Sequence, residues 1–221
     1  MTTGVLFDLD GTLVDTPYLH TVTWWQALRQ FEHDVAMAKI HRAIGMGGDR
    51  ILDHLLGPDH DRADDDAIRA AHTSLYAIYW NRLRPTPGAR ELVRAVDERG
   101  LRVVLASSAS RPELEAMLRT LDADDWIDTV VGLDDAGASK PAPDIVQRAL
   151  DQGGLPPDEV VFVGDSVWDV YACSPLAIPC IGVTCGGLSA AELLEAGAVS
   201  VYEHPRALLA AVDELARERV R

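Results

Sequence analysis

The chain has 221 residues, 35 of them acidic and 20 basic, and its formal net charge is −15. This charge repels polyanions and anionic surfaces, so it argues against nucleic acid or a membrane as a partner. The length allows one core domain with a smaller appendage. Because the three cysteines show no CxxC spacing and no apolar run is long enough to span a bilayer, we expect a cytoplasmic protein without disulfides.

Short aliphatic runs that end at polar or small residues predict buried strands of a parallel sheet. Three runs are strong and two are weaker: Val5–Leu9, Arg102–Ala106 and Val160–Val163, then Thr129–Gly132 and Pro179–Val183. Helical patterns alternate with these runs, and three helix starts carry an S-x-x-[DE] capping pattern, at Ser110, Ser166 and Ser189. The alternation predicts an α/β fold with a doubly wound parallel-sheet, Rossmann-like core.

The segment from Thr16 to Thr86 has a different pattern, because apolar residues recur there at helical spacing and strand-like runs are missing. Two apolar helix faces are predicted: Tyr18, Val22, Trp25 and Leu28, and Ile68, Ala71, Leu75 and Ile78. Turn-forming stretches with prolines, at residues 15–17 and 84–88, suit linkers. We therefore predict an α/β core of residues 1–15 and 87–221 and an inserted all-helical domain of residues 16–86.

An acidic pair, Asp8 and Asp10, lies where the first predicted strand ends. Side chains alternate along a strand, so both carboxylates project to the same side at the carboxyl edge of the sheet, where open α/β sheets bind ligands. The two charges repel each other unless a cation or a shared proton compensates them. A simple turn at Gly11 and Thr12 is the alternative, but an acidic pair at the end of a buried strand is costly for a turn.

Four motifs fall in sequence at predicted strand ends or loops. They are Asp8-Leu9-Asp10-Gly11-Thr12, the apolar strand that ends in Ser107, Lys140 in Ser139-Lys140-Pro141, and Gly164-Asp165-Ser166-Val167-Trp168-Asp169. In type and order they resemble the motifs of the haloacid dehalogenase superfamily. The resemblance extends from Val5 to Asp169 and implies a phosphohydrolase with a helical cap, similar to phosphoglycolate phosphatases and β-phosphoglucomutases.

The resemblance also implies roles for the acidic residues. Asp8 is the expected nucleophile, which forms an aspartyl-phosphate, and Asp10 is the expected general acid and then general base. Magnesium, which prefers oxygen ligands, is expected on Asp8, the main-chain carbonyl of Asp10, and Asp165. Asp169 is expected to hold a metal-bound water, although it also fits a helix cap with Ser166, and both roles are compatible.

A phosphate site in so acidic a chain requires local positive charge, from a metal ion, a lysine or helix N termini. Lys140 and Ser107 are the predicted phosphate-binding side chains, with Lys140 also relieving repulsion at Asp8. A lone lysine is ordinarily a surface charge, but Lys39 is the only other lysine in the chain. Ser108 is a further candidate for substrate binding, or a polar turn residue.

In the family that the chain resembles, an insertion between the first two motifs is a cap that closes over the site. Residues 16–86 occupy that place, and closure limits the size of the substrate, which favours a small phosphorylated metabolite. Arg50, after a glycine-rich loop, is predicted to bind a substrate carboxylate or second phosphate, with a surface ion pair as the alternative. His20 resembles a position that faces the site and is predicted to contact substrate.

Two other functions stay open at this stage. A β-phosphoglucomutase-like mutase requires a basic cap residue, and the stretch Tyr76–Trp80 offers no lysine, so the phosphatase ranks first. A non-catalytic module that binds a phosphometabolite is the second alternative, although every catalytic position is filled. The sequence does not identify the metabolite or the oligomeric state.

Overall fold

The computed structural model of the chain describes residues 2–213. Its strands are β1 (Gly4–Phe7), β2 (Arg102–Ala106), β3 (Thr129–Val131), β4 (Val160–Gly164), β5 (Cys180–Val183) and β6 (Ser200–Tyr202). They form one parallel sheet with the order β3-β2-β1-β4-β5-β6. The strand order therefore reverses beside β1, which is the place where doubly wound sheets bind ligands. The predicted fold class is confirmed.

Helices lie between and after the strands in the described part of the chain. They are α1 (Pro17–Gln30), α2 (Met37–Ala43), α3 (Ile51–Leu56), α4 (Asp65–Ala77), α5 (Ala89–Asp97), α6 (Arg111–Leu121), α7 (Asp144–Gly153), α8 (Val167–Cys173), α9 (Ala190–Ala196) and α10 (Pro205–Leu209). Within residues 2–213, no helix is both long and apolar enough to cross a membrane.

The predicted helix starts and five strands agree with the structure. At Ser166 and Ser189 the hydroxyl accepts a hydrogen bond from the main chain three residues on, and at Ser110 the main-chain N–H donates to Glu113. The first strand ends at Phe7, two residues before its predicted end. Strand β6 was not predicted, because three half-buried residues, Ser200–Tyr202, carry too little apolar pattern to be distinguished from a loop.

The two faces of the sheet pack into separate hydrophobic clusters, as the alternation of side chains along a strand requires. Val5 and Phe7 of β1 lie in one cluster with Leu105, and Leu6 lies in the other with Phe162. All five side chains are fully buried. The central strand is therefore anchored on both faces, and its carboxyl end is a rigid support for the residues that follow.

The predicted helical insert corresponds to α1–α4, which lie between β1 and β2 in the chain. These helices have a hydrophobic cluster of their own, which includes Trp24, Leu28, Ile40, Ile51 and Ile68. A separate cluster supports the division into a core and a cap, which we retain as a proposal with the boundaries 1–15, 16–86 and 87–221. Residues 214–221 lie outside the described part.

The predicted apolar faces of α1 and α4 were wrong in part. Tyr18 and Ile78 are 60% and 65% exposed. The buried face of α1 instead carries His20, and that of α4 carries His72 and Tyr76. Polar ring side chains occupy these inward positions because they bond and stack with one another, which a count of apolar residues does not register.

Candidate active site

Three of the predicted site residues follow directly after neighbouring strands. Asp8 follows β1, Ser107 follows β2 and Asp165 follows β4, and the register pairs Phe7 with Leu105 and with Val163. The three side chains therefore share the carboxyl edge of the sheet at the point where the strand order reverses. All three are buried.

Lys140 lies between two carboxylates at this edge. Its Nζ donates to Asp8 Oδ1 at 2.6 Å and to Asp169 Oδ1 at 2.7 Å. Burial alone would lower the pKa of Lys140, but the charges of Asp169 and Asp8 outweigh it and raise that pKa. Burial raises the pKa of Asp8 to about 7, against the opposing charge of Lys140. The lysine is thus a permanent cation beside Asp8.

Asp165 lacks a cationic partner of this kind among the described residues. Its Oδ1 accepts the Thr12 hydroxyl at 3.0 Å, and burial, with the charges of Asp8 and Asp169, raises its pKa well above the usual value. A side-chain carbon at position 11 or 186 would overlap its carboxylate, so Gly11 and Gly186 provide its space. The carboxylates of Asp8, Asp165 and Asp169 lie close together, and Lys140 bonds only Asp8 and Asp169 among them. Such oxygen donors suit a hard divalent cation.

Asp169 combines two structural tasks. Its Oδ2 accepts the Ser166 main-chain N–H at 3.0 Å and the Ser166 hydroxyl at 2.6 Å, which completes the capping box of α8. Its Oδ1 accepts Lys140. The structure therefore shows the helix-cap role of Asp169. It also shows that Asp169 binds Lys140, a contact that was not predicted. The role of Asp169 toward a metal-bound water stays a prediction.

The Asp10 carboxylate is held by His20 and Ser107. His20 Nε2 lies 3.1 Å from Asp10 Oδ1, and the Ser107 hydroxyl donates to Asp10 Oδ2 at 3.3 Å. Burial would raise the pKa of Asp10, but its hydrogen bond with His20 and the positive charge there lower it. The same contact raises the pKa of His20 against the effect of burial. Both shifts favour an ionised Asp10 beside a protonated His20.

His72 extends the Asp10 and His20 contact into the cap. His20 Nδ1 lies 3.1 Å from His72 Nε2, and Trp24 stacks on His72 with ring centroids 4.0 Å apart. Burial, and then the charge of His20, lowers the pKa of His72 well below its usual value, so His72 is neutral. Sequence reasoning missed this residue. The available signal was its helical spacing from Asp65 and Tyr76, which places all three on the buried side of α4.

The two predicted serines take different places. Ser107 is fully buried and bonds Asp10, whereas Ser108 lines the cavity above the site. The Ser108 Oγ also accepts the main-chain N–H of Lys140 at 3.3 Å. Ser108 thus connects the loop after β2 to the loop that carries the lysine.

A cavity of about 520 Å³ lies over the carboxyl edge of the sheet, between the core and the helical insert. Asp8, Asp10 and His20 line its floor, together with the loop from Ile44 to Asp49. Arg50 is not among its lining residues and lies 3.8 Å from Asp49 as a half-exposed ion pair. The structure therefore does not bring Arg50 to the cavity. Two arginines that were not predicted, Arg62 and Arg69, line it instead.

Hydrogen bonds join the insert to the core around this cavity. The Gly47 N–H donates to Ser139 Oγ at 3.1 Å, and the Ser139 N–H donates to Asp49 Oδ2 at 3.2 Å. On another side, Trp168 Nε1 donates to the Arg42 carbonyl at 2.9 Å. These hydrogen bonds hold the insert against the core beside the site, and the loop before Lys140 contacts the insert directly.

Comparison with known proteins identifies the family. A family model for haloacid dehalogenase-like hydrolases matches residues 2–174, which is more than half of the chain. The chain belongs to the haloacid dehalogenase-like hydrolases. The predicted resemblance is therefore confirmed, and the matched residues include all four motifs.

Individual relatives place this haloacid dehalogenase-like chain more narrowly. The phosphoglycolate phosphatase of Escherichia coli (strain K12) is 27% identical over 206 residues, covering 83% of this chain and 81% of that enzyme. The crystal structure of a hydrolase from Pseudomonas syringae is 33% identical with a TM-score of 0.92, and the match covers 97% of this chain and 99% of the other.

A third comparison concerns the fold alone. β-Phosphoglucomutase from Clostridium difficile has a TM-score of 0.82 at 18% identity, and the match covers 99% of this chain and 100% of the other. The chain is thus a hydrolase of this family that is similar in sequence to phosphoglycolate phosphatases and in fold to a β-phosphoglucomutase.

Proposed function

We propose that this chain is a Mg²⁺-dependent phosphatase that hydrolyses a small phosphate monoester through an aspartyl-phosphate on Asp8. The observation that carries the proposal is the buried arrangement of Lys140, 2.6 Å from Asp8, beside the further carboxylates Asp165 and Asp169. A single lysine does not neutralise three carboxylates. Such a site favours a divalent cation and, with it, a phosphate group.

Asp8, Asp165 and the main-chain carbonyl of Asp10 are the proposed metal ligands. Bound Mg²⁺ would offset the charge of Asp8 and of a phosphate oxygen, and thereby keep Asp8 ionised. Thr12 and the two glycines beside Asp165 hold its carboxylate in one orientation. Lys140 binds Asp8 from the opposite oxygen and supplies positive charge for the phosphoryl oxygens.

In the first step, a carboxylate oxygen of Asp8 forms a bond to phosphorus as the bond from phosphorus to the leaving alcohol oxygen breaks. Asp10 gives its proton to that oxygen, so the alcohol leaves neutral. The contact with His20 lowers the pKa of Asp10, so in the free site the shared proton resides on His20. The proton that Asp10 delivers would come from His20, whose Nε2 lies 3.1 Å from Asp10 Oδ1.

In the second step, Asp10 is a carboxylate and accepts a proton from water. The water oxygen bonds to phosphorus, the bond from phosphorus to Asp8 breaks, and inorganic phosphate leaves with Asp8 regenerated. Ser107 and His20 hold the two oxygens of Asp10, so the same carboxyl group is in place for both steps. Closure of the cap over this cavity would exclude bulk water from the site.

The cavity restricts the substrate to a small metabolite. A volume of about 520 Å³, closed by the cap, accepts a small phosphorylated molecule and excludes a folded phosphoprotein. The acidic chain disfavours nucleic acid, and a phosphorylated metabolite is consistent with a cytoplasmic location. The relatives named as phosphoglycolate phosphatases support phosphoglycolate as the first substrate for testing.

The proposal is tested with purified protein and p-nitrophenyl phosphate, with and without Mg²⁺. We expect metal-dependent phosphate release, and we expect Asp8→Asn to abolish it because an amide cannot act as the nucleophile. Turnover by Asp8→Asn at the wild-type rate, after removal of contaminating phosphatases, would contradict the nucleophile assignment. With phosphoglycolate or sugar phosphates, a rearranged product without phosphate release would indicate a mutase, and tight binding without turnover would indicate a binding module.

A further inference from the structure

Two arginines of the cap converge on one wall of the cavity. Arg62, in the loop before α4, and Arg69, on α4, both line the cavity. The carboxylate of Asp65, which also lines the cavity, lies beside them, with its Oδ2 3.8 Å from Arg62 Nη1 and 3.7 Å from Arg69 Nη1. We call Arg62 and Arg69 the arginine pair. A buried carboxylate thus holds two guanidinium groups on the same wall.

Asp65 is itself fixed from the side away from the cavity. Its Oδ1 lies 2.8 Å from His60 Nε2, and both side chains are nearly inaccessible, at 7% and 6% exposure. His60 Nδ1 contacts the Gly57 carbonyl at 2.7 Å. Because Asp65 and His60 are buried and bonded to each other, they restrict the motion of the arginine pair. Support of this kind is the usual condition for a specific binding site.

The arginine pair has unused hydrogen-bond donors. Arg62 uses Nη2 for Asp53 at 2.7 Å and for the Pro58 carbonyl at 3.3 Å. Arg69 uses Nη2 for Asp66 at 2.7 Å and Nη1 for the Gly48 carbonyl at 3.4 Å. Within the described residues, both Nε–H groups and Nη1 of Arg62 form no hydrogen bond. The wall therefore offers donors to a ligand.

The carboxylates around the cavity are, in contrast, already used as acceptors. Asp65 accepts His60, Asp49 accepts the Ser139 N–H, and Glu113 accepts the N–H and hydroxyl of Ser110. The outer partners of the arginine pair neutralise it weakly, because the Asp53 and Asp66 side chains are 40% and 98% exposed to solvent. The wall favours an anionic group over a cationic one.

We propose that the arginine pair binds an anionic group, a carboxylate or a second phosphate, at the end of the substrate remote from Asp8. This inference rests on the proposed phosphatase function and adds the class of substrate, a small phosphate monoester with a second anionic end. Arg62 and Arg69 are specificity residues, since they touch the non-reacting end. They take the role that the sequence had assigned to Arg50, which the structure places outside the cavity lining.

Three probes differ only in the end that faces the arginine pair. Phosphoglycolate carries a carboxylate, ethylene glycol bisphosphate carries a second phosphate, and 2-hydroxyethyl phosphate carries a neutral hydroxyl. We expect wild-type kcat/KM to be about 10- to 100-fold higher for one or both anionic probes than for the neutral probe, because charge-assisted hydrogen bonds are roughly twice as strong as neutral ones. The preferred anionic probe identifies which of the two groups the site accepts.

The variants Arg62→Gln and Arg69→Gln remove the charge and keep a polar amide on a shorter side chain. Each should lower the ratio of kcat/KM for the preferred anionic probe to that for the neutral probe by about 10- to 100-fold. Arg29→Gln is the matched control, because Arg29 is also a cap arginine, has a 53% exposed side chain close to the 54% of Arg62, and forms its ion pair with Asp34 away from the cavity. Its ratio should stay at the wild-type value.

Binding measurements separate this inference from the proposed catalysis. Calorimetric titration of Asp8→Asn with the same probes in Mg²⁺ reports recognition without turnover, with and without Arg62→Gln. Stronger binding of the anionic probe that disappears in the double variant supports the inference even if no probe is hydrolysed. Equal affinity for anionic and neutral probes overturns it, as does a loss of equal size for both probes in the arginine variants, which would assign the pair to cap structure.

Discussion

Replacement of Lys140 by methionine should destabilise the metal-free protein strongly. The change keeps the length of the side chain and removes its charge. Lys140 is 1% exposed and binds Asp8 and Asp169, which are 5% and 1% exposed. Without the lysine, two buried carboxylates lose their shared cation. Breaking a buried ion pair by removal of one partner costs about 3–5 kcal/mol in the free energy of unfolding.

The size of this loss should depend on pH. The pKa of Asp8 is about 7 in the wild-type fold, and removal of Lys140 raises it further. In the unfolded chain Asp8 has its ordinary, lower pKa. Because the pKa of Asp8 is higher in the fold, the free energy of unfolding decreases as pH increases between the two values. Near pH 5.5 Asp8 is protonated in both proteins. Above about pH 7 only the wild-type Asp8 ionises, so the loss should grow by up to about 1.4 kcal/mol per pH unit.

Urea unfolding in EDTA at about pH 5.5 and pH 8.5 measures the loss in the free energy of unfolding and its dependence on pH. Lys39→Met is the matched control, since Lys39 is the only other lysine and its Nζ donates to the Leu55 carbonyl at 2.8 Å. We expect the control to lose about 0.5–1.5 kcal/mol at both pH values. A Lys140→Met loss no larger than the control, or equal at the two pH values, would refute the view that Lys140 compensates Asp8.

Three other outcomes follow from the site. Mg²⁺ should raise Tm more at about pH 8 than at pH 5.5, because burial raises the pKa of Asp8 to about 7 and the ion binds the ionised carboxylate. An equal increase in Tm at both pH values would contradict the proposal that Asp8 is a metal ligand. Gly186→Ala should raise the Mg²⁺ concentration needed for half-maximal phosphatase activity by about 10- to 100-fold, because the methyl group displaces Asp165. Gly154→Ala, where the added carbon meets no neighbouring atom but φ is +62°, is the control for a destabilising glycine substitution away from the site, and it should leave that concentration unchanged. Tyr76→Phe should leave thermal stability unchanged or raise it, because the buried Tyr76 hydroxyl has no hydrogen-bond partner among the described residues. A decrease of more than about 1 kcal/mol in the free energy of unfolding, measured in urea, would contradict this prediction.

The sheet and the floor of the site could be predicted because local signals determine them. Aliphatic runs that end in Asp8, Ser107 and Asp165 specify strand ends, and parallel strands bring those ends to one edge. Lys140 has no such local signal and was assigned through the motif resemblance. Its place between Asp8 and Asp169 depends on a loop conformation that neither periodicity nor capping patterns describe.

The walls of the cavity could not be predicted in the same way. A run of charged residues such as His60–Asp66 is typical of a solvated loop and helix start, yet the structure buries Asp65 against His60 and leaves Asp66 exposed. Charge runs in a sequence do not reveal which member faces inward. The helix faces that carry His72 and Tyr76 were misassigned for a related reason, since their burial depends on stacking with His20 from another helix.

The net charge of −15 connects these observations. A phosphate ester approaches a chain that repels it, and the positive charge nearest Asp8, on Lys140, is already shared with two carboxylates. In the proposed mechanism the lysine therefore orients the phosphate without attracting it from a distance. Attraction is then expected from the proposed cation at Asp8 and Asp165 and from the arginine pair on the cavity wall. A metabolite with two anionic ends uses both sources of positive charge, and a monoanionic ester of the same size uses only the first.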